Sequence, residues 1–205
     1  MKNFPFKTIL LVAALCFGLP HNAIAAKNIL VFGDSLSAGY GIAVEKSWVN
    51  LLQQQLKSTH PGFSIVNASI SGETAQGGRQ RIAQAMKQHR PDIVIVELGV
   101  NDGLRGYRQK NTETNLGAII AQAQRANAKV LLVGMKLPPN YGEPYITQFW
   151  NLYPRLAQKY RVRLLPFLLE GVAADQFQPD NLHPAAAAQP KIMRNVLQEL
   201  QPLLR

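Results

Sequence analysis

The chain has 205 residues, 47% hydrophobic and 17% charged, with a formal net charge of +10. That composition is that of a folded globular protein and excludes a disordered chain, and the length suits one domain able to bury a substantial core. The positive charge would suit an anionic lipid or nucleic-acid partner. The basic residues are scattered, however, and no zinc-finger or RNP-type pattern accompanies them, so no nucleic-acid partner is expected.

The first segment reads as a secretory signal. Lys2 and Lys7 form a basic head, Ile9 to Leu19 is apolar apart from Gly18, and Ala23-Ile24-Ala25 supplies a small-residue cleavage site. The apolar run is too short for a membrane span, which needs roughly 20 residues. Leu15 before Cys16 disfavours lipid attachment, because a small residue is required there. Cleavage after Ala25 removes the single cysteine, so the mature chain from Ala26 to Arg205 carries no disulfide. Export to the periplasm or exterior is the expectation, with no stable membrane anchor.

After the signal, strands are expected at Asn28–Phe32, Phe63–Ala68, Asp92–Leu98, Lys129–Met135 and Val162–Leu165. Their consecutive Val, Ile and Leu suit strands covered on both faces. Helical spacing relates Trp48, Leu51, Leu52 and Leu56, then Ile82, Ala83 and Met86, then Leu116, Ile119, Ile120 and Ala123. A further helix is expected over Tyr145–Tyr160, and a last one with Ile192, Met193, Val196, Leu197 and Leu200 on one face. Alternating strands and helices predict a single α/β domain, a three-layer α/β/α sandwich on a parallel sheet, with ligands at the carboxyl ends of the strands.

The first three strands each end in a polar segment. Gly33-Asp34-Ser35-Leu36 follows the first strand, where a lone serine also suits a helix N-cap. Neither a P-loop nor a G-x-G-x-x-G fingerprint is present, and the nucleophile elbow G-x-S-x-G is missing too. Ala68-Ser69-Ile70-Ser71-Gly72-Glu73-Thr74 follows the second strand, and Gly99-Val100-Asn101-Asp102 the third, where an Asx-turn would also account for the asparagine. Asp180-Asn181-Leu182-His183 near the C-terminus puts a carboxylate three residues before a histidine. A nucleophilic serine needs a base, and the base needs a carboxylate to fix its tautomer.

The four blocks in this order resemble the GDSL or SGNH hydrolases, a family defined by Ser, Gly, Asn and His in separate blocks. The resemblance covers essentially the whole mature chain and implies a five-stranded parallel, flavodoxin-like sheet. It implies Ser35, Asp180 and His183 as catalytic residues, with Ser35, Gly72 and Asn101 donating to the oxyanion. Asp34 and Asp102 are rival carboxylates outside the histidine's own loop.

Within the family, Asn67–Glu73, Val96–Gly106, Leu137–Gly142 and Leu164–Phe167 resemble broad-range esterases acting on aryl esters, acyl thioesters and lysophospholipids. Ala185–Ala188 departs from that pattern, in which more polar residues are usual. Leu104, Tyr107, Leu137, Pro138 and Tyr141 are candidates for an acyl-chain wall, or equally for capping the core. No metal or other cofactor is expected, and the protein is taken as a monomer. Two rival functions remain: a carbohydrate O-deacetylase of the same fold, and a non-catalytic module binding lipid or polyanion.

Overall fold

The computed structural model describes residues 27–205. The signal segment, residues 1–25, lies outside the described residues. Five parallel strands form one sheet in the order β2-β1-β3-β4-β5. They are β1 (Lys27–Gly33), β2 (Phe63–Asn67), β3 (Ile93–Glu97), β4 (Lys129–Val133) and β5 (Arg163–Leu165). All five expected strands are present, each within a residue or two of its expected ends.

The three central strands are buried on both faces, which explains their unbroken apolar sequence: Ile29–Phe32 are fully buried, as are nearly all of Ile93–Val96 and Val130–Val133. The edge strands are more polar, and Phe63–Asn67 has no fully buried residue. The helices are α1 (Ser35–Ala38), α2 (Trp48–Thr59), α3 (Ala75–His89), α4 (Val100–Leu104), α5 (Gln109–Arg125), α6 (Glu143–Trp150), α7 (Leu152–Tyr160) and α8 (Gln189–Leu200). One helical layer joins α3, α5 and α7, and the other joins α2 and α8. No described helix is long and apolar enough to cross a membrane.

Two helix expectations need correction. The stretch Tyr145–Tyr160 is two helices that part at Asn151. Pro154 has no N–H to offer the carbonyl of Trp150, and its ring crowds that group, so a continuous helix is disfavoured there. In α3 the buried positions are Ala75, Gly78, Ile82, Ala85 and Met86, while Ala83 is exposed.

The chain first steps from β1 to one edge of the sheet and then returns past β1 to β3 and onward. This reversal opens a crevice beyond the carboxyl ends of β1 and β3, where open α/β sheets bind ligands. The register pairs Gly33 with Glu97, so the segments leaving these two strands emerge side by side.

Candidate active site

Ser35 is the first residue of α1, directly after β1. The N-cap of this short helix is Asp34, whose carboxylate accepts from Leu36 N–H at 3.0 Å. The cap reading of Ser35 therefore does not hold, and its hydroxyl is free for another partner. That partner is His183, whose Nε2 lies 2.9 Å from Ser35 Oγ.

The histidine loop explains its own geometry. Asp180 Oδ1 accepts from the backbone N–H groups of Leu182 and His183, each at 3.0 Å, and Asn181 takes a left-handed φ of 56°. This tight turn carries Asp180 Oδ2 to 2.7 Å from His183 Nδ1. Gln178 fastens the loop to the turn that follows α1: its backbone N–H donates to the His183 carbonyl at 2.8 Å and its side chain to Tyr40 O at 2.8 Å. The Tyr40 ring lies 4.6 Å from the imidazole. Farther on, Ala186–Ala188, in the unusual apolar stretch, forms a 3-10 turn leading into α8.

Asn101 stands in the first turn of α4, after β3, and its side-chain amide donates to Asp34 Oδ2 at 3.0 Å. The Asx-turn alternative is thus not realised. Gly72 adopts a left-handed φ of 77°, and Arg105 donates to its carbonyl at 3.0 Å. The second hydrogen of the Asn101 amide, the Gly72 N–H and the Ser35 N–H have no acceptor among the described residues. Of these, Ser35 and Asn101 line the same cleft, and unpartnered donors beside a serine–histidine pair suit an anion that appears only during reaction. Asp102 turns away from this set. It accepts from Ala75 N–H at 2.8 Å and Thr112 Oγ1 at 3.2 Å, tying the start of α3 to α5.

Beside Ser35 lies a cleft of about 290 Å³ lined by Leu104, Met135, Leu137, Pro138, Phe167 and Leu182, among others. Of the five wall candidates, Leu104, Leu137 and Pro138 line it. Tyr107 and Tyr141 do not: Tyr107 is exposed on another face, and the Tyr141 hydroxyl donates to Leu104 O at 2.9 Å, bracing the wall from outside. Met135 and Phe167 were missed, although both follow strand ends, where the topology places ligand contacts. Among the described residues no group of three or more His, Cys, Asp or Glu gathers to hold a metal.

The carboxylates divide by environment. The N–H groups of His183 and Leu182, together with the imidazole, hold the Asp180 carboxyl down to about 2. Burial pushes Asp34 up to about 7, against its hydrogen bonds from Leu36 and Asn101. Linkage gives opposite signs. Asp180 stabilises the fold above its unfolded value, and that contribution is lost as pH falls through about 2. Asp34, raised in the folded state, favours folding below its unfolded value, and that contribution is lost as pH rises through about 7. Urea midpoints should therefore decline between about pH 4 and 7, and Asp34→Asn should make the decline shallower. A midpoint rising throughout that window would contradict the burial effect.

A family model described as GDSL-like lipase/acylhydrolase matches residues 31–189. The chain is 42% identical over 200 residues to "Esterase TesA" of Pseudomonas aeruginosa, spanning 97% of this chain and 100% of that protein. It is 44% identical over 188 residues to "Thioesterase 1/protease 1/lysophospholipase L1" of Escherichia coli K12, spanning 91% of this chain and 89% of the relative. The crystal structure of TesA superposes with a TM-score of 0.84 at 43% identity, covering 86% of this chain and 99% of that one.

Proposed function

The chain belongs to the GDSL-like lipase/acylhydrolase family, and on that premise we propose that it is a serine esterase hydrolysing acyl esters and thioesters through an acyl-enzyme on Ser35. The observation that carries this reading is the hydrogen-bonded series Asp180–His183–Ser35 beside an apolar cleft. The names of the relatives, which include an arylesterase and a thioesterase/lysophospholipase, support an acyl range of aryl esters, thioesters and lysophospholipids. The signal segment supports export to the periplasm or exterior, followed by action of residues 26–205 as a single domain.

In this mechanism His183 takes the Ser35 proton as Oγ attacks the acyl carbonyl. Asp180 keeps Nδ1 protonated and stabilises the imidazolium. The developing oxyanion is held by the N–H groups of Ser35 and Gly72 and by the Asn101 amide. The leaving alkoxide or thiolate takes the proton from His183. Water then attacks the acyl-serine by the same route and releases the free acid.

The test uses p-nitrophenyl acetate, octanoate and palmitate with the mature protein. An apolar cleft gains up to roughly 0.8 kcal/mol for each methylene buried. The octanoate should therefore exceed the acetate in kcat/KM by about 10-fold or more. Turnover confined to the acetate would favour the carbohydrate O-deacetylase. No turnover, with salt-sensitive binding to anionic vesicles, would favour the binding module.

A further inference from the structure

Glu97 is the last residue of β3 and is fully buried, an ionisable side chain at the end of the apolar run Ile93–Val96. It lies against the nucleophile's turn. Its Oε2 accepts from Ser37 Oγ at 2.7 Å and from Asp34 N–H at 3.3 Å. A Cβ on Gly33 would stand 2.8 Å from the same oxygen, so only glycine lets the turn come this close. Its other oxygen, Oε1, has no hydrogen-bond partner among the described residues. Asp34 is equally buried, and its backbone N–H, whose nitrogen is 3.3 Å from Glu97 Oε2, sets the two acids side by side.

Two adjoining buried carboxylates cannot both ionise, because desolvation and mutual repulsion each oppose the second charge. Among the described residues, no lysine or arginine is a hydrogen-bond partner of either. One of the pair must keep a proton. Asp34 is the better anion, since it accepts hydrogen bonds from Leu36 N–H and the Asn101 amide on its two oxygens. Because Oε2 already accepts two hydrogen bonds, Oε1 is the oxygen free to carry that proton.

We propose that Glu97 is a positioning residue, kept as the neutral acid, that donates to Asp34 and so fixes the aspartate that aims the Asn101 amide. This rests on the oxyanion role given to Asn101 above. Glu97 touches no substrate; it acts through Asp34. Burial first, and the neighbouring Asp34 charge second, push the Glu97 carboxyl well above its ordinary range, in agreement with the geometry. The other ionisable groups facing the pair are His183, near Asp34, and the Tyr153 hydroxyl, which donates to Leu98 O at 3.1 Å.

Infrared spectra of the mature protein at about pH 8, above the range of ordinary carboxylates, test the proton directly. The carbonyl stretch of an un-ionised carboxylic acid should be present in the wild type and missing in Glu97→Gln. The glutamine should retain kcat within about threefold, because its amide reproduces both the acceptor and the donor of the neutral acid. Glu97→Leu should lower kcat by roughly 10-fold or more, toward the loss expected for the Asn101 donor itself, with KM little changed. Added to Asn101→Ala, it should cost nothing further, since the two act through one amide. Absence of the acid band would overturn the proposal, as would a glutamine variant as slow as Asn101→Ala. If Glu97→Leu does not fold, the band and the glutamine variant still decide. A wild type that hydrolyses no ester would sink the esterase reading and leave the infrared result standing.

Discussion

Replacing Ser35 by alanine is expected to lower kcat for ester hydrolysis by about 10⁶, by analogy with other serine triads, and Asn101→Ala by only about 10²–10³. The difference follows from what each side chain does. Without Ser35 Oγ no acyl-enzyme forms, and the imidazole 2.9 Å away has nothing to deprotonate. Without the Asn101 amide the proposed nucleophile and base remain, and so do the N–H groups of Ser35 and Gly72, the other two proposed oxyanion donors. The residual activity of Asn101→Ala should thus be measurable with a p-nitrophenyl ester, while that of Ser35→Ala should approach background. KM should move little for Asn101→Ala, because its donor acts most strongly once charge has developed. Equal residual rates in the two variants would refute this division of roles. Asn101→Ala also removes a hydrogen bond to buried Asp34, so melting curves must accompany the rates to separate chemistry from folding.

Much of this arrangement was legible in the chain itself. Runs such as Ile93–Val96 can be satisfied only by a strand with helices on both sides, and the order of strands and helices then predicts a parallel sheet. The four polar blocks follow strand ends or, for Asp180–His183, lie in a short loop whose Asp–His spacing predicts their contact. What stayed hidden depends on side-chain direction and on distance across the sheet. Tyr141 and Tyr107 share the apolar character of Leu137 and Leu104, and nothing in their spacing says that they face away from the cleft. Met135 and Phe167 follow strands whose neighbours are known only once the strand order is known. The pairing of Glu97 with Asp34 arises from the β1–β3 register, which brings Gly33 opposite Glu97 across 64 positions of sequence. A local clue did exist, since an acid bounding a fully apolar strand must find a polar partner or stay neutral. The parting of α6 from α7 was equally marked by Pro154, but the helical spacing on either side obscured it.

Asp180→Asn should lower kcat by about 10⁴ while leaving the fold and the histidine loop in place. Asp180 does two things with its two oxygens: Oδ1 closes the turn on Leu182 and His183, and Oδ2 receives the imidazole Nδ1–H. An asparagine keeps an oxygen for the turn. Its amide nitrogen, placed opposite Nδ1, is a donor, and the imidazole answers by carrying its proton on Nε2 instead. A protonated Nε2 facing Ser35 Oγ can no longer accept the hydroxyl proton, so the base is lost although every ring atom stays where it was. The turn should therefore stay closed, and the melting temperature should fall only by the modest contribution of the exposed carboxylate charge. Asp180→Ala would differ by opening the turn as well. Asp34→Asn provides the contrast, because the Asp34 carboxylate holds the Asn101 amide and has no hydrogen bond to His183. An inactive Asp34→Asn beside an active Asp180→Asn would transfer the acid's role to Asp34. The reverse order, with Asp34→Asn impaired no more than Asn101→Ala, fits a carboxylate that acts through the asparagine amide and leaves the histidine to Asp180.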